Sequence, residues 1–162
     1  MWGRAYPQGR PCRVLQIGPR LANHSVKGKF MDLNARTAAF VLGVVFLIVG
    51  VFGYIPNPLV GHMADGSPAM FATNSVHNIV HIVSGIVLLL GVYTALTPSL
   101  ALKILGVVYA CVAVLGFIMP GANGMMLGMI EMNMADHWLH IALAIVLLYA
   151  GFGLPAVRTA AA

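Results

Sequence analysis

The sequence predicts an all-α integral membrane protein: a four-helix bundle built from two parallel helical-hairpin repeats, with both termini on the cytoplasmic side (N-in/C-in). Three observations carry this expectation. Of 162 residues, 60% are hydrophobic and only 8% charged, with a mean hydropathy of +0.90, whereas roughly a quarter of the residues in an ordinary soluble domain are charged. Four apolar runs approach the ~20 residues that a helix needs to cross a ~30 Å hydrocarbon layer. The chain also repeats itself, the first run aligning with the third and the second with the fourth. The in-out alternation of a β-barrel is missing, so helices must satisfy the backbone within the bilayer.

Residues 1–30, MWGRAYPQGRPCRVLQIGPRLANHSVKGKF, contain six of the nine basic residues: Arg4, Arg10, Arg13, Arg20, Lys27 and Lys29. Scattered Pro and Gly interrupt any apolar core, so this stretch does not read as a secretory signal peptide. It is expected to be a basic, disordered leader able to touch anionic lipid. An organelle-type presequence and translation starting at Met31, where MDLNARTAAF reads as a natural beginning, are the alternatives. From Met31 onward three bases face four acids. The net charge of +5 therefore belongs to the leader and gives no ground for a nucleic-acid partner.

The first transmembrane hairpin is assigned to residues 31–96, with spans at 38–55 and 76–96. The second occupies 97–155, with spans at 99–119 and 135–155, and residues 156–162 form a short cytoplasmic tail. Arg36 precedes the first span, Lys103 is placed in the connection between the second and third, and Arg158 follows the fourth. The connections 56–73 and 120–134 hold no Lys or Arg. By the positive-inside rule those two face outward.

LGVVFLIVGVFGYI (42–55) aligns without gaps over LGVVYACVAVLGFI (105–118), with Phe/Tyr exchanges at Phe46/Tyr109 and Tyr54/Phe117. NSVHNIVHIVSGIVLLLGVY (74–93) lies over NMADHWLHIALAIVLLYAGF (133–152), matching Asn74 to Asn133, His77 to Asp136, Asn78 to His137 and His81 to His140. Both copies begin on the same side, so a pseudo-twofold axis along the membrane normal would make the second and fourth spans symmetry mates. Gly43, Gly50, Gly53 and Gly106, Ala113, Gly116 would let backbones approach closely.

Polar residues gather in the first turns of the second and fourth spans. His77 and His81 share a helix face at i, i+4, as do Asp136 and His140. One reading is structural: Asn74 and Asn133 cap their helices, Asp136 completes a capping box, and Asn78, His137 and the histidines hydrogen-bond across the bundle. The functional reading brings His77, His81, Asp136 and His140 together as ligands of a divalent metal such as zinc, iron or copper. A b-type haem is its rival, using only His81 and His140 as axial ligands across a wide apolar gap. Every methionine after Met31 lies in or beside the two outward connections, and thioether sulfur suits Cu(I). The expectation for GMMLGMIEMNM (124–134) is nevertheless a short interfacial helix with flexible side chains over the bundle mouth.

Other chemistry finds little support. Ser84 has no triad around it, no glycine-rich phosphate loop follows a strand, and Cys12 and Cys111 are not placed to pair. The first and third spans carry no charge-lined pathway, which weighs against an ordinary transporter.

The order LGVVFLIVGVFGYIPN, NSVHNIVHIVSG, LGVVYACVAVLGFI and ADHWLHIALAIVLL resembles the small bacterial four-helix membrane proteins grouped as domain-of-unknown-function family 4383. The likeness covers about residues 36–154 and leaves the leader outside. It implies a multi-pass protein of the bacterial inner (plasma) membrane and, as family-like positions, Asn74, His77 or Asn78, His81, Asp136 and His140, but no activity. The sequence is accordingly read as a small non-enzymatic membrane protein, a subunit or stress-associated scaffold without a cofactor, with the metal or haem binder as the alternative. Its expected surroundings are the lipid bilayer and a membrane-protein partner or a second copy of itself.

Overall fold

The structure, a computed structural model, describes residues 33–119 and 124–156. The leader, Cys12 and the tail beyond residue 156 with Arg158 lie outside the described residues. Four helices follow one another: α1 (Ala35–Phe52), α2 (Ser75–Tyr93), α3 (Pro98–Ile118) and α4 (Met134–Gly153), with two short strands, β1 (Met125–Met126) and β2 (Ile130–Glu131), between α3 and α4. Each helix is long and apolar enough to cross a membrane.

Local chemistry sets the helix boundaries. Asn34, Asn74, Thr97 and Asn133 each accept a backbone N–H from three residues ahead, and Pro98 takes the first turn of α3, where a missing N–H costs nothing. Asn34 explains why α1 begins three residues before the expected start at 38: the cap, not the first bulky residue, starts the helix. At the far end of α1 the Asn57 amide donates to the Ile55 and Val60 carbonyls at 2.7 and 2.8 Å, and its oxygen accepts from the Leu59 and Val60 amides. The chain turns there into the 53–74 connection, whose backbone is pinned by the Val60–Phe71 and His62–Pro68 bridges.

α1 lies along α2 and α3 along α4, while α2 and α3 meet across the middle of the bundle. The small residues act as the sequence suggests. A Cβ on Gly85 would meet the Gly43 carbonyl at 2.8 Å, and one on Gly106 would meet the Leu148 amide at 3.0 Å, so backbones run almost in contact. Gly53 leaves room for the Asn78 amide, and Gly116 does the same for the His137 ring. The interior is therefore small and polar at one end and holds Phe46, Leu88, Leu102, Tyr109 and Leu147 further in, while Ile48, Val83, Val107, Val114, Ile145 and Phe152 face outward. Such an apolar exterior would be a liability in water and is the surface expected of a chain in lipid.

Two expectations need correction. The span bounds 99–119 already include Lys103, and it lies inside α3, not in the connection where the charge argument puts it, with its ammonium 4.6 Å from the centre of the Phe152 ring; a long aliphatic stem lets its charge reach away from the apolar layer. The methionine-rich stretch 124–134 is not an interfacial helix but a tight antiparallel hairpin pairing Met125 with Glu131 and Met126 with Ile130. Leu127 and Gly128 both take positive φ, at 54° and 71°, among the three residues 127–129 that join the strands, a left-handed backbone that a helix forbids.

Two outcomes test this packing. Gly53→Ala and Gly116→Ala are each expected to lower stability by about 1–3 kcal/mol through overpacking, read by unfolding in detergent micelles, while Val114→Ala on the outer face stays within about 0.5 kcal/mol. Leu127→Gly is expected to raise stability by about 1 kcal/mol by removing a side chain from a left-handed backbone.

Candidate functional site

At the end of the bundle that carries the two long connections, the first turns of α2 and α4 meet each other's loops. Asn74 and Asn133 use their side-chain oxygens to cap their own helices and their amide groups to reach across: Asn74 Nδ2 donates to the Met129 carbonyl at 2.7 Å, and Asn133 Nδ2 to the Met70 carbonyl at 2.9 Å. Asp136 completes the expected capping box, its Oδ2 accepting the Asn133 amide at 2.8 Å. Asp136 is thus occupied at its own helix start and does not join the histidines.

The imidazoles of His77, His81 and His140 do converge. All three are buried, and one ring nitrogen from each lies within 4.8 Å of the other two. Their tautomers follow from their partners, because a carbonyl can only accept. His77 Nδ1–H donates to the Glu131 carbonyl at 2.8 Å, and His140 Nδ1–H to the Asp136 carbonyl at 2.6 Å. Both therefore present a bare Nε2 lone pair. His81 Nε2 lies 3.0 Å from His77 Nε2 and must donate there if all three rings are neutral, which leaves His81 Nδ1 buried without a hydrogen-bond partner. Each ring consequently offers a lone pair, or gains one by moving a single proton within His81.

Two residues that the sequence reading overlooked wall this cluster. Phe46 of α1 stacks on His81 with ring centres 5.4 Å apart, and Tyr109 of α3 stacks on His140 at 5.4 Å and 14°. The Tyr109 hydroxyl donates to Ser84 Oγ at 3.2 Å, so its polar tip is satisfied. The signal was present: Phe46 and Tyr109 are one of the two Phe/Tyr exchanges in the aligned segments. The remaining polar positions stand aside from the cluster. Asn78 is buried against Gly53 and His137 against Gly116, with Asn78 Oδ1 and His137 Nδ1 lacking hydrogen-bond partners. A cavity of about 390 Å³ beside the start of α2 is lined by His62, Met63, Thr73 and Asn78 among others. On that lining, His62 Nε2 lies 3.2 Å from Glu131 Oε1, tying the 53–74 connection to the β1–β2 hairpin.

Fold and site together define an all-α, multi-pass membrane protein with a buried histidine cluster at one end. The chain belongs to the family described as Domain of unknown function (DUF4383), whose sequence profile matches residues 36–153. No curated protein and no solved structure matches it.

The reciprocal loop contacts have a measurable consequence. Asn74→Ala and Asn133→Ala are each expected to cost about 1–2 kcal/mol, combining a lost cap with a lost cross-bundle hydrogen bond. Hydrogen exchange should quicken near Met129 in the first variant and near Met70 in the second, on the loop opposite the mutated helix.

Proposed function

We propose that this protein is a non-enzymatic membrane protein that holds one metal ion between the starts of α2 and α4, with His77, His81 and His140 as its ligands. The observation that carries the reading is the convergence of three buried imidazoles, two of them held by backbone carbonyls at Nδ1 so that the lone pair sits on Nε2. Metal-ligating histidines almost always have their second nitrogen anchored in this way. A tetrahedral ion with metal–nitrogen distances of about 2.0–2.1 Å separates its ligand nitrogens by about 3.3 Å. The His77–His81 pair at 3.0 Å already matches that separation, and the cluster's 4.8 Å outer limit leaves a gap that ring rotation can close. Asp136, spent on capping, is removed from the ligand set that the sequence suggests.

A haem between His81 and His140 is less well supported. His77 stacks on His81 at 4.8 Å, and Phe46 and Tyr109 cover further ring faces. His77 Nε2 lies 3.0 Å from His81 Nε2, so a porphyrin bound at that nitrogen would have to displace His77.

Within the same reading the chain is two copies of one hairpin. Paired contacts support this: Gly43 packs on Leu89 as Gly106 does on Leu148, Gly53 on Asn78 as Gly116 on His137, and Phe46 on His81 as Tyr109 on His140. Arg36 and Lys103 lie toward the end opposite the histidines, so the positive-inside rule supports a cytoplasmic face there and an outward-facing cluster, in the bacterial inner membrane that the family resemblance implies.

The test is metal content. Protein purified in detergent, incubated with zinc, iron or copper salts and freed of excess by gel filtration, is expected to retain about one ion per chain, with retention lost in His81→Ala and in His140→Ala. Absence of stoichiometric metal with every ion, or equal retention by the variants, would rule the reading out.

A further inference from the structure

We propose, resting on the three-histidine site argued above, that the ion it is built for is monovalent copper, bound in three-coordinate, all-nitrogen geometry. The first reason is charge. The cluster supplies three neutral imidazoles and no anion: Asp136 Oδ2 is held by the Asn133 amide, and Glu131 faces His62 instead. The desolvation penalty of a buried ion grows with the square of its charge, so a divalent ion is penalised roughly fourfold more than a monovalent one of similar size. Zn(II) in a three-histidine site completes its shell with water or hydroxide in an open fourth position.

The second reason is the wall. Phe46 lies on His81, Tyr109 on His140, and Phe46 and Tyr109 meet edge to face at 5.2 Å. These rings close one side of the cluster with hydrocarbon, which favours a low coordination number over a hydrated fourth site. The third reason is independent of the cluster. Met63, Met70, Met129 and Met134 are exposed around the same end of the bundle, and Met63 stands beside His62 on the lining of the 390 Å³ cavity. Thioether sulfur is a ligand for Cu(I) and a poor one for zinc, magnesium or calcium. Exposed thioethers in the connections next to the helix starts that carry the three imidazoles offer soft ligands outside and firmer ones within.

The experiment compares two ions on the intact chain in detergent micelles. Cu(I) is supplied anaerobically from a chromophoric chelator of known affinity, and Zn(II) is titrated against its own indicator. The expected result is one Cu(I) per chain, bound at least about tenfold more tightly than Zn(II), with a copper X-ray absorption edge of a three-coordinate nitrogen site. Cu(I) binding should disappear in His81→Ala and persist in Asp136→Asn. Should either variant fail to fold, the absorption spectrum of the unmodified protein decides by itself, since sulfur in the first shell or a fourth light ligand overturns the assignment. Tighter Zn(II) than Cu(I) at the same histidines overturns the copper inference alone and leaves the metal site standing. Binding of neither ion overturns both.

Discussion

The structure depends on a pair of reciprocal hydrogen bonds that tie each hairpin to the loop of the other. Asn74 reaches the Met129 carbonyl and Asn133 the Met70 carbonyl, residues 55 and 63 positions away in sequence. Both bonds are exposed, so each is worth about 0.5–1.5 kcal/mol, and their effect is to position the loops. The two helix starts do this jointly: each asparagine satisfies an amide of its own helix with its oxygen and a carbonyl of the opposite loop with its nitrogen. Once the loops are held, the Glu131 carbonyl lies where His77 Nδ1–H can bond it. The orientation of that imidazole is therefore a product of the cross-bundle contact, not of its own helix.

The same constraint shapes the bundle below. Lipid tails are as apolar as Leu, so helices gain little by hiding aliphatic side chains from them, and close backbone approach through small residues matters more. Gly43 against Gly85 and Gly106 against Leu148 bring the paired helices near enough that Phe46 and Tyr109 can lie flat on histidine rings. Stacking then limits the ways in which His81 and His140 can turn. Anchored nitrogens, stacked faces and tight glycine contacts together hold the three imidazoles facing one another.

Outside the membrane-facing segments, the 53–74 connection is stiffened by short-range chemistry. Asn57 collects the carbonyls and amides around the end of α1, and the Ser67 hydroxyl and amide bond the Asp65 carboxylate at 2.6 and 2.9 Å. These bonds favour the ionised carboxylate and hold Asp65 below the usual range. The loop that supplies the Met70 carbonyl is thus ordered by its own side chains before it meets Asn133.

Much of this was legible in the sequence, and the division follows from the range of the forces involved. Hydrophobic length, N-caps and the capping box at Asn133 and Asp136 are local properties, so the four helices, their order and their starts could be read to within a few residues. The failures were at positions whose state depends on distant neighbours. Residues 124–134 look amphipathic and flexible, but Leu127 and Gly128 are driven into a hairpin turn whose strand carbonyls serve the other half of the chain. By itself, then, the sequence determined the all-helical, membrane-spanning class and brought the polar residues to one end, because periodicity and composition suffice for both. Only the tertiary structure decided which side chains meet, with Phe46 and Tyr109 against the histidines, and how His77 turns its ring, because those outcomes depend on groups supplied by other helices and loops, the Glu131 carbonyl 54 positions from His77 among them.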